Sequence, residues 1–239
     1  MSVLGPLLAR TPVSAIGDVV ACMTAIDQAL PPDDGISCFN KLYLGVTQNV
    51  LAAVGTTTFD DPAFLAALDV EFANLYFSAL RRFEAAGSDV PRAWAPLFDA
   101  RSDRTIAPLQ FALAGMNAHI NRDLPLALVT TFAARGLAPS AGCPQHQDFE
   151  RVNALLAATE REVKQQYLDP LTRKLDGAFS GVDDLVAMWS VARARDAAWT
   201  NGGVMWHLRG AGPLEQDYLA TLDRTVGFAS RGLLVSTAR

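Results

Sequence analysis

At 239 residues, half of them hydrophobic and 19% charged, the chain is long enough to bury a large core and too apolar to remain disordered. A net charge of −5, with no Lys/Arg cluster longer than Arg81–Arg82, argues against a nucleic-acid-binding surface. Cys22, Cys38 and Cys143 follow no regular spacing, which excludes a disulfide framework and a CxxC metal site.

The opening MSVLGPLLARTP lacks the charged n-region of a signal peptide, and no stretch reaches about 18 uninterrupted apolar residues. The expectation is therefore a cytoplasmic protein without a membrane span. Helical periodicity dominates the rest, and no alternating strand pattern with hairpin punctuation occurs. A first helix is predicted from about Pro12 to Leu30, capped by Thr11 and stopped by Pro31-Pro32-Asp33-Asp34-Gly35. A second spans about Ser37 to Val54. Asp60 or Asp61 can cap a third, with Pro62 in its first turn, reading through Leu75 and Leu80 to Gly87. A short fourth follows Pro91. The fifth, the most apolar, runs from about Thr105 to Arg135 and is kinked at Pro125. A charged helix covers Asp148 to about Leu175 with a kink at Pro170. Another begins near Val182 or Asp183 and reaches Gly202-Gly203, and a last spans about Leu214 to Leu234. No internal repeat is evident. Short connections between about eight helices predict a single all-α domain over residues 1–239, orthogonal or bundle-like.

The chemically loaded segment is Asn117-Ala-His-Ile-Asn-Arg-Asp123, inside that apolar fifth helix. His119 and Asp123 are four residues apart and share a helix face with Ala112, Gly115, Met116 and Leu126, so that face points inward. A buried imidazole and carboxylate need partners or a ligand. Three readings follow: a structural hydrogen-bonded pair, an acid/base dyad in which Asp123 orients His119, and half of a metal site with ligands at i and i+4. Asn117 and Asn121 share a roughly opposite face and are expected to bond to neighbouring helices.

The segment Gly115-Met-Asn-Ala-His-Ile-Asn-Arg-Asp-Leu124 resembles the signature of a domain-of-unknown-function family common in actinobacteria. The pattern includes Phe39-Asn-Lys-Leu-Tyr43 and Phe59-Asp-Asp61, so the resemblance covers most of the chain. More distantly, His119-Ile-x-x-Asp123-Leu resembles a metal-ligand segment of the zinc-dependent phospholipase C and P1 nuclease helical fold. That resemblance spans about ten residues and implies metal-ligand roles for His119 and Asp123 alone. Those enzymes use several more histidines for three zincs. This chain has only His119, His146 and His207, so one or two metals are the most it could hold.

Other polar groups could line a pocket. Asn40, Tyr43 and Thr47 form one stripe of the second helix, with a half-exposed face as the alternative. Asp69 shares a face with Phe72 and Tyr76 and could be a pocket acid or a solvated side chain. Phe59-Asp60-Asp61-Pro62 superficially resembles a diphosphate–magnesium motif but lacks the third carboxylate, and helix capping explains it better. Trp189, Arg193, Asp196 and Thr200 lie on one stripe of a late helix. Arg193–Asp196 reads as a salt bridge or as a pocket cation with its partner. Trp206 and His207 follow the Asn201-Gly202-Gly203 break, where a ligand could approach the backbone. His146 reads as a surface residue.

These features lead to an expected small helical enzyme that uses His119 and Asp123 for acid/base chemistry on a hydrophobic small molecule: cyclisation, isomerisation, elimination or hydrolysis in lipid or specialised metabolism. It requires no cofactor, and Asn40, Tyr43, Asp69, Arg193, Asp196, Trp206 and His207 are its candidate substrate contacts. The alternatives are a phosphoester hydrolase holding zinc or manganese on His119 and Asp123, and a non-enzymatic carrier of an apolar ligand. The carrier reading requires an apolar cavity with His119 already satisfied by protein groups.

Overall fold

A computed structural model describes residues 3–54, 59–85, 89–156 and 190–236. The described elements are α1 (Leu4–Leu8), α2 (Ile16–Ala29), α3 (Gly35–Val54), α4 (Pro62–Glu84), α5 (Ala95–Ala100), α6 (Pro108–Ala118), a π-helical turn (His119–Asp123), α7 (Leu124–Ala134), α8 (residues 144–156), α9 (Val191–Leu208) and α10 (Pro213–Leu233). The protein is all-α, and the described residues contain no strand.

Local chemistry explains several helix starts. Asp61 caps α4: its side chain accepts from Phe64 N at 2.9 Å, and Pro62 occupies the first turn, where a missing N–H costs nothing. Arg81 and Arg82 in the last turn suit the negative end of the helix dipole. Ser190 caps α9 through Arg193 N at 3.4 Å. Pro108 opens α6, and there the backbone N–H of Ala107 is held by Gln110 Oε1 at 2.9 Å. This side chain, and not Thr105, closes the start of that helix.

Two other boundaries differ from the sequence reading. The first long helix starts at Ile16 and not at Pro12. Val13 is tied to Asn74 of α4 by a pair of 2.9 Å bonds, N–H to Oδ1 and Nδ2–H to carbonyl, which holds this stretch against α4. Thr11 turns its hydroxyl back to Leu8 O at 2.7 Å and so finishes α1 instead of starting α2. The Gly202-Gly203 pair lies within α9, and Gly202 is buried against Leu128 of α7, so it serves close helix packing and not a break. The predicted stops at Gly55 and Gly87, the Pro170 kink, the Leu175 end, the helix start near Val182 or Asp183, and Trp189 lie outside the described residues.

The core is built around α3, α4, α6 and α7. Helix α3 packs on α2 and α6, α7 on α4 and α9, and α6 on α10. Phe39, Phe64, Tyr76, Phe77, Trp94, Phe98, Phe111 and Phe132 are fully buried there. Helix α4 is long and apolar enough, by length and composition, to cross a membrane. Here its Phe64, Leu65, Leu68, Tyr76, Phe77 and Leu80 are buried in the core.

The π turn sits between α6 and α7. Leu124 N–H bonds to His119 O, five residues back. Pro125 follows and brings no N–H, and in a regular α-helix its ring would press on the carbonyl four residues earlier. Widening one turn accommodates the proline without breaking the rod, a form of π-bulge found often at functional sites.

Candidate functional site

The π turn places His119 and Asp123 at the centre of the molecule, with side-chain exposures of 1% and 0%. His119 Nδ1 lies 3.1 Å from Asp123 Oδ2. That oxygen also accepts from Trp94 Nε1 at 2.9 Å, while Oδ1 accepts from Arg122 Nη1 at 2.6 Å. Arg122 Nε reaches Asp223 Oδ1 at 3.3 Å, and Asp223 in turn accepts from the backbone N–H groups of Arg92 and Ala93 at 2.8 and 3.1 Å. A buried carboxylate is thus matched by two formal donors and a cation, itself tied to a second carboxylate. Burial alone would raise the proton affinity of Asp123; the bond to His119 and the Arg122 charge outweigh it and hold the carboxyl below its ordinary range. Asp123 is therefore charged, Nδ1 of His119 is the protonated nitrogen, and Nε2 carries the lone pair. Desolvation lowers the His119 pKa despite Asp123, so the ring is a neutral base at neutral pH.

Aromatic rings surround the imidazole. Phe72 stacks on it at 3.5 Å between centroids and 6° between planes, and Tyr43 meets it edge-on at 4.4 Å. Phe39, Trp94 and Tyr76 lie farther out, at 5.7, 5.8 and 6.1 Å. Beside this box is a cavity of about 100 Å³ among α3, α4, α6, the π turn, α8 and α9. Its wall is apolar (Leu42, Val46, Leu68, Leu113, Met116 and Ile120 among others) except at His119, Tyr43, Asp69 and Arg195.

Three polar atoms of that wall lack partners, as do Asn40 Oδ1, Tyr76 Oη, Glu84 Oε2 and Thr131 Oγ1 elsewhere among the described residues. His119 Nε2, Tyr43 Oη and Asp69 Oδ2 are all buried and have no hydrogen-bond partner among the described residues. Burial pushes the Asp69 carboxyl up to about 7, against a smaller opposing pull from Arg195; burial and the nearby Asp69 push the Tyr43 phenol well above its usual range, against a smaller opposing pull from the Thr47 hydroxyl. Arg195 is buried too; its Nε donates to Asn153 Oδ1 and its Nη2 to Phe149 O, both at 2.7 Å. Its guanidinium lies over the Phe149 ring at 3.9 Å.

The structure brings only part of the candidate set together. His119, Tyr43 and Asp69 share the cavity. Asn40 is buried elsewhere and donates to Met23 O at 2.9 Å, and Thr47 points its hydroxyl at the Met23 sulfur, so this end of the stripe joins α3 to α2. Arg193 and Asp196 are exposed on the outer face of α9 and form no salt bridge with each other. Trp206 is covered by Arg209 at 3.5 Å, and exposed His207 bonds to Gly203 O at 2.7 Å. These five positions, Asn40, Arg193, Asp196, Trp206 and His207, fall outside the cavity wall. Asn117 reaches a neighbouring helix as expected, donating to Val226 O and Ser230 Oγ at 3.0 Å, whereas Asn121 donates to Asn117 Oδ1, one turn back on its own rod. His146 is half-buried rather than a free surface group, its ring 4.4 Å from Trp199.

Sequence reasoning missed Trp94 and Arg195. Trp94 stands outside any long periodic helix, and only the third dimension brings it to Asp123. The donor set does not fit a metal ion. His119 Nδ1 and Asp123 Oδ2 face each other, Arg122 occupies the other oxygen, and the described residues hold no group of three His, Cys, Asp or Glu side chains.

An all-α protein with an oriented histidine at an apolar cavity is the class that fold and site define. The chain belongs to the family of unknown function DUF5995, whose model matches residues 16–236. No curated protein and no solved structure matches it.

Proposed function

We propose that this protein is an enzyme that binds a small, mainly apolar molecule in the cavity and uses His119 as a general base, with Asp123 as its orienting partner. The observation that carries the proposal is the asymmetry of the imidazole. Nδ1 is held by a charged, triply bonded carboxylate, whereas Nε2 is buried at a cavity wall with nothing to accept from among the described residues. A structural pair would satisfy both nitrogens, because an orphaned buried polar atom costs about 1–3 kcal/mol. A passive carrier would have no use for it either. A general base needs this arrangement: one nitrogen fixes the tautomer and stabilises the imidazolium, and the other presents a lone pair to the substrate. The aromatic walls favour an organic substrate over a solvated ion. The compatible reactions are proton-transfer chemistry (isomerisation, elimination, cyclisation) and base-assisted hydrolysis.

The test compares the whole protein with H119Q and D123N on a panel that separates these reactions. The panel contains 4-nitrophenyl acetate and butyrate for hydrolysis, and small ketones in D2O for proton abstraction. Wild-type protein is expected to accelerate at least one, with both variants slower by about 10²–10⁴-fold, the usual weight of a positioned base. Full activity in both variants would end the proposal.

A further inference from the structure

We propose that Tyr43 and Asp69 form an oxygen-holding pair on the His119 cavity, and that the substrate class is a small apolar carbonyl compound which the site enolises. The inference rests on His119 acting as the base and adds the electrophilic half of the site.

Three residues on one apolar cavity carry buried polar atoms without partners among the described residues: His119 Nε2, Tyr43 Oη and Asp69 Oδ2. Each such atom costs stability when nothing binds, so their convergence describes a ligand. Their chemistry narrows that ligand. The Tyr43 phenol stays protonated and donates. Asp69 holds its proton up to about pH 7, so in neutral solution much of it is a carboxylic acid that can also donate. His119 Nε2 accepts. Arg195, the cation on the wall, already spends Nε and Nη2 on Asn153 and Phe149. The site therefore presents two neutral donors and one base on an apolar cavity, with the Arg195 guanidinium tethered on the same wall.

A carbonyl oxygen has two lone pairs and can accept from both donors. An adjacent C–H then supplies the proton that the base takes. A tyrosine beside a protonated aspartic acid in an apolar pocket is an established way to stabilise an enolate oxygen. In the step, the His119 Nε2 lone pair forms an N–H bond with the α-proton. The C–H electron pair becomes the C=C bond, and the carbonyl π pair moves onto oxygen, held by Tyr43 and Asp69. The imidazolium so formed sits against the Asp123 carboxylate. It gives a proton back to the α-carbon, after exchange with solvent where deuterium is to enter, or to the γ-carbon of a β,γ-unsaturated substrate, where the sum is an isomerisation; neither route needs an oxidant or co-reactant. About 100 Å³ suits a single small ring or a short chain.

Two probes separate the base from the oxygen-holding pair. Cyclopentanone in D2O, followed by proton NMR, reports enolisation. 4-Fluorophenol, an enolate mimic without an exchangeable α-proton, is titrated by fluorine NMR. The expected result has wild-type protein binding 4-fluorophenol and exchanging cyclopentanone above the buffer rate. Y43F and D69N each weaken fluorophenol binding about tenfold, the scale of one lost buried hydrogen bond, and slow exchange. H119Q abolishes exchange while its fluorophenol affinity stays within about twofold of wild type. Fluorophenol affinity unchanged in both Y43F and D69N overturns the oxygen-holding pair even if H119Q is inactive. Undiminished exchange in H119Q removes the base, and enolisation with it. No wild-type binding or exchange overturns the whole proposal.

Discussion

Two buried carboxyls in this protein hold protons in opposite senses, and the difference lies in their partners. Asp123 accepts from His119, Trp94 and Arg122, so ionisation is favoured despite burial. Asp69 has a buried oxygen without a donor among the described residues, and burial dominates, raising the group from 3.8 to about 7. The linkage has a definite sign. Between those values the folded chain keeps a proton on Asp69 that the unfolded chain has lost, so this group makes stability fall as pH rises through the window. Replacing Asp69 by Asn removes that dependence. Urea denaturation should find D69N more stable than wild type at pH 8, by on the order of 2 kcal/mol, with the gap closing towards pH 4. Asp69 is only half-buried as a residue although its Oδ2 is covered, so this figure is set below the full linkage value. A gap that widens on acidification would contradict the assignment.

At the scale of elements, the site depends on a close crossing and a widened turn. A Cβ on Gly115 of α6 would collide with the Phe39 ring of α3, so only glycine lets these helices approach as they do. Phe39 also meets the His119 ring edge-on at 5.7 Å. G115A is therefore predicted to cost about 1–3 kcal/mol in urea denaturation, the usual range for an overpacked core. The same substitution should shift the His119 ring-proton resonances, since Phe39 must move. Unchanged stability and unchanged resonances would show that the crossing is not tight. A few residues on, the π turn accommodates Pro125 and keeps α6 and α7 continuous enough for His119 and Asp123 to share one buried face. The spacing of the pair was readable from the sequence. The π geometry was not, because a proline after an apolar helix equally signals a kink or a stop, and packing on α4, α9 and α10 decides between them.

For the molecule as a whole, the cavity is a packing defect with a mainly aliphatic wall, kept beside the aromatic core. Ala112 lies on its wall and is 1% exposed. Filling it should trade binding for stability. A112L is predicted to raise the urea midpoint by an equivalent of about 1 kcal/mol while reducing 4-fluorophenol binding at least about tenfold. Intact binding in a stabilised A112L would place the ligand elsewhere.

The sequence by itself determined the all-α class, the Asp61-Pro62 start of α4, and the pairing of His119 with Asp123. Each of these rests on interactions within one or two helical turns, where period, cap and proline act directly. Only the tertiary structure decided which polar residues reach the site. Arg193, Asp196 and Thr200 form a true stripe of α9, but it faces outward, and Arg195, about 200° around the helix from Arg193, is the one turned in. On α3 the same stripe splits, Tyr43 to the cavity and Asn40 to α2. Periodicity identifies a face, but the rotation of that face is fixed by the partners it packs against. Those partners, Trp94 beside Asp123 and Phe149 beneath Arg195, come from distant parts of the chain.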